Sequence, residues 1–457
     1  MRMASSTPST SSSALPRPRV WCGEFTVDPK RFQGRAMSVA TNPTLSVALL
    51  PLPEQEIWRK VEESLTPKRP LPVGLLHLYC PANSWCSLSV NENCDSTVRS
   101  DMLEGLRRIA NGYLDPIPKS SRNTTALNHK NSPDTNAIVM DVLTRRSLTL
   151  PISNGQLMLG TWQGVYLFFD TYYCSPAQNG APVIHWAVVE GAEYERVAHN
   201  ASFRGTHALG TYLKDADLSS SFGCLTALHT HHTSASLCLR DKKWDLENDV
   251  MEKLVPDCWN DDFFQHTAEG RDDMTGHMKS TLLGCSAVLN HAVCSAKEAV
   301  LNEHRDCGGW GGGHSRKVSL VQVLFPSEQQ AFLRINMAKP YRQGQPGTGE
   351  GAGSELQPEK LQTGPFVDIT AELTMAAAGA SGMLHVSANR GARLVLAGIA
   401  VQSAVDYISS SGNVAVFSQL LQCSIMLPAE SLSGQGGERV FIWSPDVGEH
   451  EIIVAKL

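Results

Sequence analysis

Residues Ser147–Val165 read SLTLPISNGQLMLGTWQGV, and the opening of that string returns in altered form at Ser286–Val293 as SAVLNHAV. The stretch NSWCSLSVNENCD, residues 83–95, has a matching counterpart in GCLTALHTHHTSASLCL, residues 223–239. Each copy keeps polar motifs that the other lacks. Internal repetition of this kind decides the fold, because one supersecondary unit is then used more than once.

Working outward, copy one opens with the strand VWCGEFTV from Val20. It continues through a helix at Pro53–Ser64, strands at Gly74–Tyr79 and Cys86–Val90, and a helix at Ser96–Ala110. In that last helix Val98, Met102, Leu106 and Ile109 recur at helical spacing, with Asp95 or Ser96 as N-cap. Strands at Ser147–Ile152, Gln156–Leu159, Gly164–Phe169 and Val183–Val189 complete it. Copy two repeats the order from Arg196–Ala201, through a helix at Asp245–Leu254, to a closing strand at Arg316–Phe325. A third, degenerate copy follows: Gln330–Met337, FVDITAEL, GMLHVSA, CSIMLPA, RVFIWSP and HEIIVAKL. The expected divisions are a disordered tail 1–19, repeats at 20–191, 192–327 and 328–457, and a solvated Gly/Gln/Pro/Glu-rich loop at 339–362 within the third. Many short strands with few helices predict an α+β class of β-rich, mainly antiparallel units. Three units on one chain predict a pseudo-trimer, the covalent form of a threefold assembly, that stays monomeric.

Composition narrows the partners. The net charge of −6 argues against nucleic acid, and no run of about 18 apolar residues exists to span a membrane. Twelve cysteines occur without a CxxC pair, which predicts reduced thiols and a cytoplasmic protein. The Ser/Thr/Ala/Pro-rich start, with Arg2 and Arg17 and no acid, leaves organelle targeting open.

Two polar clusters carry the chemistry. In copy two, His232 follows the His229 strand, and His266 and His277 flank Glu269, Asp272 and Asp273, with Lys279 close behind. Imidazole is the commonest metal ligand and carboxylates orient it, so His232, His266 and His277 are candidate ligands for zinc or magnesium. The same three with Glu269 suit acid–base work, supported by Asp273, and Lys279 suits a phosphate. In copy one, Thr161 and Gln163 can hydrogen-bond a polar ligand, Trp162 can stack on a flat ring, and Asn91 and Glu92 form a polar knot at a strand end. Each taken singly has an ordinary reading: a surface histidine, a core tryptophan, an Asx turn.

These strings resemble the YjbQ-type family, the so-called secondary thiamine-phosphate synthases. The resemblance rests on GLLHL (74–78), SLSVNENCDSTVRSDM (87–102), SLTLPISNGQLMLGTWQGV (147–165), HHTSASL (231–237), LVPD (254–257), HTAEGRDDMTGHMKSTLLG (266–284) and EHRDCGG (303–309). It implies a homotrimeric single-repeat ancestor and motif histidines that bind a metal or a phosphate-bearing ligand. It also implies the joining of hydroxymethylpyrimidine diphosphate to thiazole phosphate, so that the expected partner is a small phosphorylated metabolite.

The departures carry information. Copy one has Asn83 where the family has the first histidine of HTSASL, and Ile138 and Met140 near the places of His277 and Lys279. Copy two has Arg240, Asp241 and Lys242 in place of NEN, and Cys294, Ser295, Ala296 and Lys297 in place of GTWQ. The expectation is therefore one composite site between copies one and two. His232, His266, His277 and Glu269 would act there, and Asn91, Glu92, Thr161, Trp162, Gln163, Lys279 and Asp273 would hold substrate. The competing readings are a non-catalytic scaffold on the same frame and a metal-dependent phosphate-ester hydrolase.

Overall fold

The computed structural model describes residues 17–28, 37–39, 42–110, 133–174, 181–210, 212, 222–239, 249–294, 296–307, 314–337, 366–380, 382–389, 392–397, 424–432, 438–444 and 448–457. One strand order occurs three times. In unit one an inner sheet runs Val20–Thr26, Val183–Glu190, Val73–Tyr79, Ser147–Ser153, with Gln156–Leu157 at its edge. Unit two repeats it as Glu193–Ala201, His314–Pro326, Phe222–Thr230, Ser286–Asn290. Unit three repeats it as Gln330–Met337, Gly448–Lys456, Met383–Ala388, Ser424–Pro428. A second sheet backs each: Met37–Val39, Asn42–Leu49, Gln163–Asp170, Cys86–Glu92 in unit one, Gly205–Ala208, Ala299–Glu303, Ala235–Leu239 in unit two, and Phe366–Asp368, Arg439–Trp443, Arg393–Ala397 in unit three. The pairings are antiparallel, as in Leu76 opposite Leu150, Leu228 opposite Leu320 and Val386 opposite Val454.

The three inner sheets meet at one apolar centre. Leu75 and Val189 of unit one, Leu225, Val323 and Phe325 of unit two, and Met383, Met426 and Ala455 of unit three pack there. Each of these side chains except the small Ala455 stabilises the fold by about 1.5–3 kcal/mol when removed from water, and the third unit contributes Met383 and Met426. Its role is thus to close the apolar centre, whatever polar motifs it has lost.

Two helices position the chemistry. Helix Ser96–Ala110 buries Val98, Met102, Leu106 and Ile109 as its periodicity predicts. Asp95 caps it, accepting the Thr97 amide at 2.8 Å. Helix Asp273–Leu283 is buried all round, although its sequence is largely polar. It survives there because its polar groups have partners: Thr275 donates to Asp257, Ser280 to the Ala235 carbonyl, and Thr281 accepts from Asn91. Gly284, at φ +86°, ends it in a conformation that favours glycine.

Some expectations shift. FVDITAEL divides into the strand Phe366–Asp368 and the helix Thr370–Ala376. The helix expected at Asp245–Leu254 is described only as Asp249–Leu254. The loop 339–362 and residues 1–16 of the expected tail lie outside the described residues, whereas Arg19 is tied to Glu190 at 2.6 Å.

Each unit buries a histidine on the same inner strand, at one position in units one and three and two residues further along in unit two. His77, His229 and His385 stand on the equivalent inner strand, each with Nδ1 on a hydroxyl: Thr149 at 2.9 Å, Ser286 at 2.8 Å and Ser387 at 3.1 Å. Burial pushes each down to about 3. The unfolded chain, with ordinary imidazoles near 6.5, then binds more protons than the folded one below that pH. Stability is fully present above pH 6.5 and falls as pH drops toward 3. The urea midpoint should therefore decline steeply across that window, and less steeply in His385→Gln. A flat midpoint from pH 6.5 to 4 would show that these rings do not govern it.

Candidate functional site

The seam between units one and two brings Glu92, His266 and His277 together. One ligand atom from each lies within 4.8 Å of the others. Glu92 ends a strand of unit one, while His266 and His277 come from the loop and helix of unit two. Glu92 Oε2 stands 3.4 Å from His277 Nε2 and 3.9 Å from His266 Nε2. Asp273 adds a fourth oxygen-bearing group, at 3.6 Å from His277 Nε2 and 3.5 Å from His266 Nε2.

The tautomers follow from the partners. His266 Nδ1 faces the Asp95 carboxylate at 2.8 Å, and His277 Nδ1 faces the Thr233 carbonyl at 3.2 Å. Both acceptors demand an N–H, so both Nε2 atoms present lone pairs to the shared centre. Asp95 therefore does two jobs: one oxygen caps the unit-one helix and the other aims a unit-two histidine. Asp101 anchors the same loop, accepting the Gln265 and His266 amides at 2.7 and 2.8 Å.

Two carboxyls beside the centre, Asp273 and Asp95, are held below their ordinary range. Burial raises the Asp273 carboxyl, but His277, the Glu269 amide and His266 outweigh it and hold it below its ordinary range. Asp95 is also held low, with burial outweighed by Thr97 and His266. Asp273 Oδ1 is buried and closes no hydrogen bond. Its positive neighbour is Arg305 Nη1 at 3.5 Å, an ion pair that leaves the oxygen's hydrogen-bonding capacity open.

The expected residues divide. His266, His277 and Asp273 converge, and Glu92, expected to hold substrate, stands among the candidate ligands in place of His232. The His232 ring takes the Ser234 amide on Nδ1 at 3.1 Å, so its proton sits on Nε2 and that atom is a donor, not a ligand. Glu269 turns outward to Arg305 at 2.5 Å, with its side chain 70% exposed. Lys279 is fully buried and bound to Glu252 at 2.8 Å and Asp257 at 3.2 Å, away from the cluster. Asn91 is consumed in holding the histidine helix, donating to the His277 carbonyl at 2.9 Å and to Thr281 at 2.8 Å. Thr161 and Trp162 are exposed, and the Trp162 carbonyl accepts the Asn93 amide beside Glu92.

Gln163 is a splice between units. Its Oε1 accepts the Gly160 amide at 2.8 Å and faces His229 Nε2 at 3.0 Å. Its Nε2 donates to the carbonyls of Thr230 at 2.9 Å and His232 at 3.1 Å. All its capacity is used, so it positions the strand end carrying Thr233 instead of touching a ligand. Gly160 permits that contact, since a Cβ there would meet the His231 carbonyl oxygen at 2.1 Å. Gly160→Ala should push the seam apart, costing about 1–3 kcal/mol by overpacking and loosening His277 through Thr233. Unchanged thermal stability would show that the seam accommodates a methyl group.

Asp101 is a supporting residue whose function the sequence did not reveal, and Asp95, read as an N-cap, also aims His266. The signal for Asp101 was present: it falls three residues after Val98, a carboxylate inside an apolar stripe. Arg305, which spans Glu269, Asp272 and Asp273, gave no comparable signal. A second cluster, Glu303, Cys307 and His314, also lies within 4.8 Å. There Arg316 already grips Glu303 through Nε at 2.5 Å and Nη2 at 2.9 Å, so the carboxylate is neutralised without a metal.

With this geometry in view, comparison with known proteins is informative. The sequence pattern of the family described as "UPF0047 protein YjbQ-like" matches residues 55–171 and 203–294, one segment in each of the first two units. UPF0047 protein YjbQ of Salmonella typhimurium is 33% identical over 111 residues, covering 24% of this chain and 73% of that protein. UPF0047 protein YugU of Bacillus subtilis is 31% identical over 111 residues, covering 24% and 74%. A crystal structure from Sulfolobus solfataricus P2, described as a YbjQ-like protein of unknown function, shares 14% identity over 38% of this chain and 98% of its own, with a TM-score of 0.22. The expected thiamine-phosphate synthesis is corrected by these findings. The matching relatives carry the family designation alone, and the Sulfolobus protein is described as having no known function. The hydrolase and scaffold alternatives draw no support from them either. Among the described residues no helix is long and apolar enough to cross a membrane.

Proposed function

We propose that this chain, which belongs to the UPF0047 YjbQ-like family, works through one divalent metal centre held across the seam by Glu92, His266 and His277. The observation that carries this reading is the convergence of two Nε2 lone pairs, each fixed by a partner on Nδ1, upon one carboxylate. For bonds of 2.0–2.1 Å in a tetrahedral site the ligand atoms stand roughly 3.3–3.4 Å apart, and the separations of 3.4 to 3.9 Å from Glu92 to the histidines need only slight tightening. Two imidazoles with one carboxylate favour zinc or a similar first-row ion over magnesium, which prefers oxygen and retains water.

A bound ion of this kind supplies Lewis acidity toward an oxygen-bearing ligand. The chain's own residues do the rest. Asp95 and Thr233 keep the imidazoles in the ligating tautomer, and Asp273 balances the ion's charge. His232 offers an Nε2–H donor beside the centre. Burial, with Arg316, His277 and Arg305, holds His232 well below its ordinary range, so it donates as a neutral group. The eleven described cysteines are all free, which supports a reducing, cytoplasmic setting.

Elemental analysis of the purified chain, followed by zinc titration of the chelator-treated protein, tests this. One tightly held ion per chain is expected. An absence of stoichiometric uptake would remove the metal centre.

A further inference from the structure

A different seam, between units three and one, holds a cavity of about 430 Å³. That volume lies within the range of small-molecule sites. One wall is a face of the unit-one inner sheet, where alternate residues share a side: Cys22 and Glu24, then His185, then His77 and Tyr79. Unit three closes it with Gly382, Met383, Pro428 and Glu430.

Two carboxylates from two units straddle one imidazole at its mouth. Glu24 Oε2 lies 3.6 Å from His185 Nε2, and Glu430 Oε1 lies 3.9 Å from His185 Nδ1. The two oxygens approach opposite ring nitrogens, so the group does not converge on one point as metal ligands do. The remaining lining groups add no positive charge. Burial and Glu430 raise the Cys22 thiol, burial raises Tyr79 well above its ordinary value, and burial keeps His77 neutral.

The fold does not require acid here. Glu24 and Tyr79 both stand opposite His185, just as Arg196 and His229 both stand opposite Ser319 in unit two. At the matching place on the seam between units one and two, Arg196 and Lys317 face His231 and, after burial, push it down to about 4. The same position on the repeated frame is basic in one seam and acidic in the other.

A second observation points into the cavity. His77 lines it and is 1% exposed; Thr149 holds its Nδ1, and its Nε2 has no hydrogen-bond partner. The Met426 carbonyl acts on the ring without closing a hydrogen bond to Nε2. The Tyr79 hydroxyl is already used, donating to Glu438 at 3.0 Å. An orphaned polar atom on a cavity wall costs stability unless something fills the space.

We propose that this cavity binds a compact organic cation, an ammonium group on an apolar or aromatic body. The ammonium sits between Glu24 and Glu430, and the body packs toward Met383 and the floor that carries His77. This site is separate from the metal centre and does not depend on it.

Calorimetric titration with benzylamine at low salt, beside its neutral analogue benzyl alcohol, tests the assignment. Benzylamine should bind saturably at one site and benzyl alcohol should not. The double substitution Glu24→Gln with Glu430→Gln, at side chains 69% and 72% exposed, should weaken benzylamine at least tenfold. His277→Ala should leave its affinity unchanged. Absence of saturable benzylamine binding, equal binding of the alcohol, or indifference to the double substitution would overturn the proposal. Loss of benzylamine binding in His277→Ala would also overturn it, by placing the ligand at the metal centre.

Discussion

His277→Ala is expected to lower zinc affinity at least about a hundredfold, more than the 10–100-fold typical of losing a supporting residue around a metal. The ring supplies one of three ligand atoms, and the nearest other oxygen, Asp273 Oδ1, already pairs with Arg305 at 3.5 Å. Asp273 is held by the Glu269 amide at 2.9 Å and Lys279 points away, toward Glu252. The substitution also leaves Glu92 and Asp273 as two carboxylates in a buried place without the imidazole between them, which further disfavours the folded seam. Competition against a chromophoric chelator measures the affinity, and circular dichroism checks that the sheets persist. His266→Ala should behave alike, and Asp95→Asn should fall between, since it removes the carboxylate that fixes the His266 tautomer. Wild-type affinity in His277→Ala would remove this residue from the centre, and with it the proposal of a metal site at this seam.

The second large effect concerns stability. Glu303→Ala should cost about 3–5 kcal/mol, the usual penalty for stranding one member of a buried ion pair. The Glu303 side chain is fully buried and Arg316 is 6% exposed, with two hydrogen bonds between them at 2.5 and 2.9 Å. Glu303 also accepts the Arg305 amide at 3.1 Å, so its loss disturbs the segment carrying that arginine. Replacing both partners by methionine should recover most of the loss, because no charge is then left buried. Urea unfolding measures both. A Glu303→Ala midpoint close to wild type would refute the buried-pair reading. A loss that appeared only after chelation would instead assign Glu303, Cys307 and His314 to a metal.

Much of the frame was legible in the chain itself. Helix Ser96–Ala110 was readable because Val98, Met102, Leu106 and Ile109 mark one face and Asp95 marks its start. The strands around Leu76, Leu150, Val188 and Leu228 were readable as apolar runs between turns. The third unit was readable only from the order of its elements, and the recurrence of one strand order accounts for why that order persisted. Helix Asp273–Leu283 was not readable as a helix. It has no apolar stripe, since neighbours from two units satisfy its polar groups on every side.

For the site, sequence alone determined which residue types were available and in which repeats: histidines and Asp273 in the second, Glu92 in the first. It could not decide who ligates and who supports. Gln163 and Asn91 look like ligand-binding residues until their hydrogen bonds are traced, and the side-chain amide nitrogen of each is spent across the seam. Lys279 lies two residues from His277 yet faces Asp257, because successive helical positions point in different directions. His232 was set apart by a single backbone amide that claims its Nδ1. These roles depend on distances between units far apart in the chain. Only packing of the three sheets on one apolar centre sets those distances, so only the tertiary structure could assign them.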